Sequence, residues 1–167
     1  QEATPDDVAG ALTMAAAAFE VTVDPGFLYD EWRLVVDAWA VADRDAYRDL
    51  PRLGRLTRMA ASRRDVLWDV FAAARMTLEG QSKRTRAQML HALALHYCGG
   101  GPQPFTHAVV DEAQDISVPE LHFLAALAGH RPNGLFFAGD IGQRIFRAPF
   151  PWTAAGVDVR GRSRSLK

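Results

Sequence analysis

Two short, wholly apolar runs constrain this chain more than any other feature. The first lies in Thr106-His-Ala-Val-Val-Asp-Glu-Ala-Gln-Asp115, where the apolar stretch delivers Asp111 and Glu112. The second is Leu135 to Ala138, which ends in Gly139-Asp140. Between them, Ser117-Val118-Pro119-Glu120 reads as a capping box opening a helix through Leu121, Leu124, Leu127 and Ala128 toward His130, and Pro132-Asn133-Gly134 turns the chain into the second run. Apolar strands that bracket a helix predict a βαβ unit, with the strands parallel and the sheet covered on both faces. The expected fold class is therefore α/β.

The acidic block also points to chemistry. Asp111 and Glu112 leave the exit of a buried strand and Asp115 follows one helical turn after Asp111, which is how many nucleotide hydrolases hold Mg²⁺ and orient the attacking water. Two other readings fit the same residues. The carboxylates could serve only as the acidic entry to the next helix, stabilised by its dipole. They could also form a two-ion nuclease cluster of the Asp-Glu-x-x-Asp kind, which would leave the Gly-Asp block unexplained.

The first hundred residues read as helices with legible ends. Thr4 before Pro5-Asp6-Asp7 is an N-cap, N1 proline and acidic first turn, and Asp24-Pro25 repeats the device. Leu28, Trp32, Val35, Val36 and Trp39 fall on one helical face. Asp43 to Leu50 fits a short helix stopped by Pro51; Ser62 is the expected cap of a longer one with Val66, Leu67, Val70, Phe71, Ala74 and Leu78 as its apolar stripe. Thr85-Arg86-Ala87-Gln88 is a capping box whose helix, with Ala87, Leu90, Leu93, Ala94 and Tyr97 on its apolar face, runs to Gly99-Gly100-Gly101. No Gly-Lys-Ser/Thr follows those glycines, so they predict a flexible connector rather than a phosphate loop.

With 167 residues the chain can build one full core or two small ones. Apolar residues make up 49% of it, and no run approaches the roughly 20 residues of a membrane span. The start shows no signal-peptide pattern, and Cys98 is the sole cysteine, which is compatible with a reducing compartment; the expected location is cytoplasmic and no membrane partner is expected. His91, His96 and Cys98 lack zinc-ligand spacing and read as ordinary residues near a helix end. A net charge of −1 hides an asymmetry. Arg33 is the lone cation before position 43, whereas Arg44, Arg48, Arg52, Arg55, Arg58, Arg63 and Arg64 form one basic run and Arg144, Arg147, Arg160, Arg162, Arg164 and Lys167 another. Such runs suit phosphate backbones; solvated helix faces are an equal reading of the first.

In order and spacing, Asp-Glu-Ala-Gln-Asp at 111–115 and Gly-Asp-x-x-Gln-x-Ile-Phe at 139–146 resemble motifs II and III of the UvrD/Rep/PcrA-like superfamily 1A DNA helicases. The resemblance covers Thr106 to the end. It implies a partial RecA-like P-loop NTPase domain, the later part of domain 1A, over 85–167, preceded by an all-helical segment similar to the 1B insertion over 1–84. It further implies ATP and Mg²⁺ as ligands, with Asp111 at the metal, Glu112 as catalytic base, Gln143 as γ-phosphate sensor, and Gln114 and Asp115 in the network joining the nucleotide site to neighbouring motifs. Phe146 takes the place of the aromatic that stacks on single-stranded DNA, with Arg147 beside it. Where many relatives have a tryptophan two residues later this chain has Ala148, so Phe150 and Trp152 are further candidates for that contact.

One departure is large. No Gly-x-x-x-x-Gly-Lys-Ser/Thr occurs, and Gly161 to Lys167 resembles the approach to motif IV without its arginine. The resemblance thus implies an internal piece of an ATP-dependent helicase or translocase acting on single-stranded or partly duplex DNA, with the remainder of the motor as partner. Alone, such a piece is expected to be inactive. The alternative is a non-catalytic DNA-binding or protein-interaction module of helicase ancestry.

Overall fold

The computed structural model describes residues 1–50, 59–128, 131–140, 152–158, 160–162 and 164. It is a mixed α/β chain, mostly helical, with a two-stranded parallel sheet. The chain divides into two compact units, Gln1–Met89 and Leu90–Lys167, with the division inside a helix.

The first unit is built from helices whose starts follow local chemistry. Helix α1 (Pro5–Ala18) is opened by Thr4, whose hydroxyl accepts from the Asp7 N–H while the Asp7 carboxylate accepts from the Thr4 N–H. Helix α2 (Pro25–Glu31) is capped by Asp24, which accepts from the Phe27 N–H at 2.7 Å. Asp43 opens α3 (Arg44–Asp49) by the same bond to the Ala46 N–H. The long α4 (Ala61–Gly80) departs from the expected cap: Ala60, in an extended conformation, is the N-cap and gives no side-chain bond, so Ser62 sits within the first turn. Thr85 and Gln88 form the expected reciprocal box at the start of α5 (Arg86–Cys98).

These helices bury one aromatic-rich core. Leu12, Trp32, Tyr47, Leu67, Phe71 and Leu78 are fully buried, and α1 and α3 both pack on α4. Removing a side chain such as Phe71 from water contributes about 1.5–3 kcal/mol. Val66, predicted in the stripe of α4, instead points outward at 47% exposure. Directly after α2 the backbone widens into a π-helical turn, Trp32–Asp37, which keeps Trp32, Val35 and Val36 inward and brings Asp37 against the start of α5. There the Thr85 hydroxyl donates to Asp37 at 2.8 Å while accepting from the Gln88 N–H. Burial pushes the Asp37 carboxyl up to about 6, against the Thr85 hydrogen bond and the charge of Arg75.

Among the described residues, part of the basic run of this unit is engaged within the fold. Arg44 pairs with Asp69 and Arg48 with Asp65, each at 2.5 Å. Arg64 donates to the carbonyls of Tyr47, Arg48 and Leu50, closing the C-terminus of α3. Three of the arginines expected to suit a phosphate backbone are therefore committed internally, while Arg52, Arg55 and Arg58 lie outside the described residues.

In the second unit α5 ends at Gly99–Gly101 by a defined closure: the Gly101 N–H donates to the His96 carbonyl, Gly100 adopts φ +92°, and a Cβ on Gly101 would strike the His96 ring at 2.5 Å. The glycines thus stop the helix before the connector that leads to the first strand. Strand β1 (Ala108–Val110) pairs in parallel with β2 (Leu135–Phe137), in register Ala108↔Leu135, Val109↔Phe136 and Val110↔Phe137. Helix α6 (Val118–Ala128) connects them, opened by the Ser117–Glu120 box. Val110, Leu135 and Phe137 pack on Ile116, Leu121, Ala155 and Val157. Val109 and Phe136, facing the other way, are 76% and 62% exposed. Among the described residues, therefore, the core of this unit lies on one face of the sheet, where the uniform apolarity of the runs led to the expectation of cover on both. Among the described residues no helix is long and apolar enough to cross a membrane.

Candidate functional site

The two parallel strands end side by side, and the residues that follow them meet. The Ala138 N–H donates to the Val110 carbonyl and the Ala113 N–H to the Ala138 carbonyl, both at 2.8 Å. Asp111 and Glu112 therefore leave β1 next to Gly139 and Asp140 leaving β2. The carboxyl ends of parallel strands are where α/β proteins place their ligands.

Glu112 holds the turn in a left-handed conformation, φ 51° and ψ 42°, which costs a non-glycine residue about 1–3 kcal/mol and persists only where its surroundings fix it. Two contacts do. Its N–H donates to the Asp111 carboxylate at 2.9 Å, and its own carboxylate accepts from the Gln114 side-chain amide at 2.5 Å. Gln114 is buried in the short 3₁₀ turn Ala113–Asp115, and its amide oxygen accepts from the Asp140 N–H at 3.0 Å. One side chain thus joins the acidic block to the Gly-Asp block. Gly139 is required for this: a Cβ there would lie 2.4 Å from the Gln114 amide oxygen and 2.8 Å from the Ala113 nitrogen.

Asp111, Glu112 and Asp140 are exposed, as is Asp115, which extends from the same turn. Among the described residues no three acidic, histidine or cysteine side chains gather as a metal cage, so the two-ion reading of Asp-Glu-x-x-Asp gains no support. Mg²⁺ asks for less: one or two carboxylates, with water and phosphate oxygens completing the shell. Asp111 fits that demand. It is exposed, and among the described residues its only side-chain hydrogen bond is the one from Glu112.

Gln143, Phe146, Arg147 and Phe150 lie outside the described residues. Trp152 is described and half-buried: it opens the turn Trp152–Ala155 and meets Phe137 edge-on at 4.6 Å, so its ring is engaged in the second core. Arg160 is paired with Asp158 through two nitrogens. The clasp through Gln114 was only partly readable beforehand: the sequence places the glutamine in the motif, whereas the partners of its amide depend on strand register. An apolar groove between α1 and α2, lined by Leu12, Ala16, Val21, Leu28 and Tyr29 among others, has no charged side chain in its wall and offers no comparable chemistry.

No family model, curated protein or solved structure matches this chain.

Proposed function

We propose that this chain forms the Mg²⁺- and water-facing side of the nucleotide site in an ATP-dependent DNA helicase or translocase, within a RecA-like domain whose helical neighbour, the first unit, corresponds to a 1B-like insertion. The observation that carries this is the junction of the two blocks, with Gln114 bonded at once to Glu112 and to the Asp140 N–H. Helicase-like motifs II and III would have to meet in this way at the exits of adjacent parallel strands.

Asp111 would hold Mg²⁺, directly or through water. When bound, the ion neutralises charge on the β- and γ-phosphate oxygens. Glu112 acts as base: one carboxylate oxygen is held by Gln114, and the other has no hydrogen-bond partner among the described residues, so it can accept a proton from water attacking the γ-phosphorus. Phosphoryl transfer needs little more than positioning and charge neutralisation. Gln143 would report on the γ-phosphate with a neutral side chain that both donates and accepts. Phe146, with Arg147, would contact single-stranded DNA, with Phe150 the next aromatic in line. Trp152, engaged with Phe137, is the weakest of these candidates.

The phosphate-cradling loop is not in this sequence, so the chain by itself should not turn over ATP. That same observation favours the second reading, a non-catalytic DNA-binding or interaction module. The test joins this chain to a segment bearing the loop and the second motor domain. Glu112→Gln should then retain ATP binding and lose about 100-fold or more in turnover, the scale of a lost general base. Unimpaired hydrolysis in that variant would remove Glu112 from the role.

A further inference from the structure

We infer that Gln114 is a positioning residue that transmits the placement of the Gly139–Asp140 backbone to the Glu112 carboxylate, so that the base is aligned only while the two strand exits are in register. The inference rests on the nucleotide-site reading and adds a control to it.

Three observations converge on this. Glu112 sits in a left-handed conformation that costs energy, and the hydrogen bond from Gln114 is the side-chain contact that holds its carboxylate. The other end of the same amide is fixed by a backbone N–H rather than by a mobile side chain, so any shift of Asp140 is felt at Gln114. Gly139 leaves no slack, since an added methyl group would overlap the Gln114 oxygen. An amide suits this place because it donates and accepts at once; a carboxylate there would repel Glu112, and an apolar residue would leave both ends loose.

The test uses the isotopically labelled chain and nuclear magnetic resonance. In Gln114→Leu, the Asp140 N–H should exchange about 5- to 10-fold faster, the yield of one lost hydrogen bond, and the Glu112 backbone shifts should move away from the left-handed signature. The Ala113 N–H, bonded to Ala138, should keep its protection. A merely structural Gln114 would instead expose Ala113 and Asp140 together and leave Glu112 unchanged, and either result overturns the inference. Should the variant not fold, the unmodified chain decides: a Gln114 side-chain amide in slow exchange, with close proton contacts to both Glu112 and the Asp140 N–H, is required, and its absence overturns the inference. Mg²⁺ titration separates this outcome from the nucleotide reading. Coupled responses at Asp140 and Glu112 that Mg²⁺ leaves untouched uphold the clasp and remove its catalytic meaning.

Discussion

Replacing Asp37 by Asn should make the first unit more stable at neutral pH and abolish most of its pH dependence between 4 and 6. The carboxyl is lifted from 3.8 to about 6, chiefly by burial. Because the folded value exceeds the unfolded one, the folded state binds the extra proton: stability is fully present below about 4, declines as pH rises through about 6, and is level above that. About two pH units at 1.36 kcal/mol each set a ceiling near 3 kcal/mol, and ~1–3 kcal/mol is the working range for a partly solvated group. Asparagine keeps an oxygen for the Thr85 hydroxyl and never charges, so variant and parent should coincide at pH 4 and separate by that amount at pH 8. Urea unfolding followed by tryptophan fluorescence suits the measurement, since Trp32, Trp39 and Trp68 all lie in this unit. Asp7, held down near 2 first by its hydrogen bond to Lys83, titrates with the opposite sign and below the window. A variant less stable than its parent at pH 8 would refute the reasoning, because it would mean that the charged carboxylate stabilises the fold.

Gly139→Ala should cost about 1–3 kcal/mol, the usual penalty of overpacking, and should destabilise the second unit alone; a melting curve identical to the parent would deny the close approach of Gly139 to Gln114. Thr85→Ala removes the cap of α5 and the hydrogen bond to Asp37, and should lower stability by about 1–2 kcal/mol, with an unchanged urea midpoint counting against both contacts. In a motor carrying this segment, Phe146→Ala should weaken single-strand DNA affinity about 5- to 150-fold, as for a lost stacking contact of 1–3 kcal/mol, and depress DNA-stimulated hydrolysis more than basal hydrolysis. Equal loss of both activities together with a lower melting temperature would mark the ring as packing instead.

The parts of the fold that the sequence made legible are those set by contacts within a few residues. Thr4, Asp24, Asp43, Thr85 and Ser117 each bond the backbone N–H three residues on, so their spacing alone locates helix starts. Ser62 misled because a helix begins where the backbone leaves the extended conformation, and here that happens at Ala60 without a side-chain cap. The π-helical turn at Trp32–Asp37 escaped a reading by period because it keeps Trp32, Val35 and Val36 inward much as an α-helix would. Glu31 could not be read as buried, since its partner Tyr47 lies 16 residues away on another helix. At the site, the apolar runs announced parallel strands and the positions of Asp111 and Glu112. The exposure of Val109 and Phe136 did not follow, because uniform apolarity says what a strand can bury and not what is present to cover it.

The central claim, that the strand exits form a Mg²⁺-nucleotide site centred on Asp111, is tested most directly by paramagnetic broadening with Mn²⁺ in place of Mg²⁺. The account predicts selective loss of the Asp111, Glu112 and Asp140 signals at substoichiometric Mn²⁺, reversed by excess Mg²⁺ and absent in Asp111→Ala. Broadening that instead spreads over the acidic surface of residues 1–43, or that persists at the strand exits in Asp111→Ala, would contradict it.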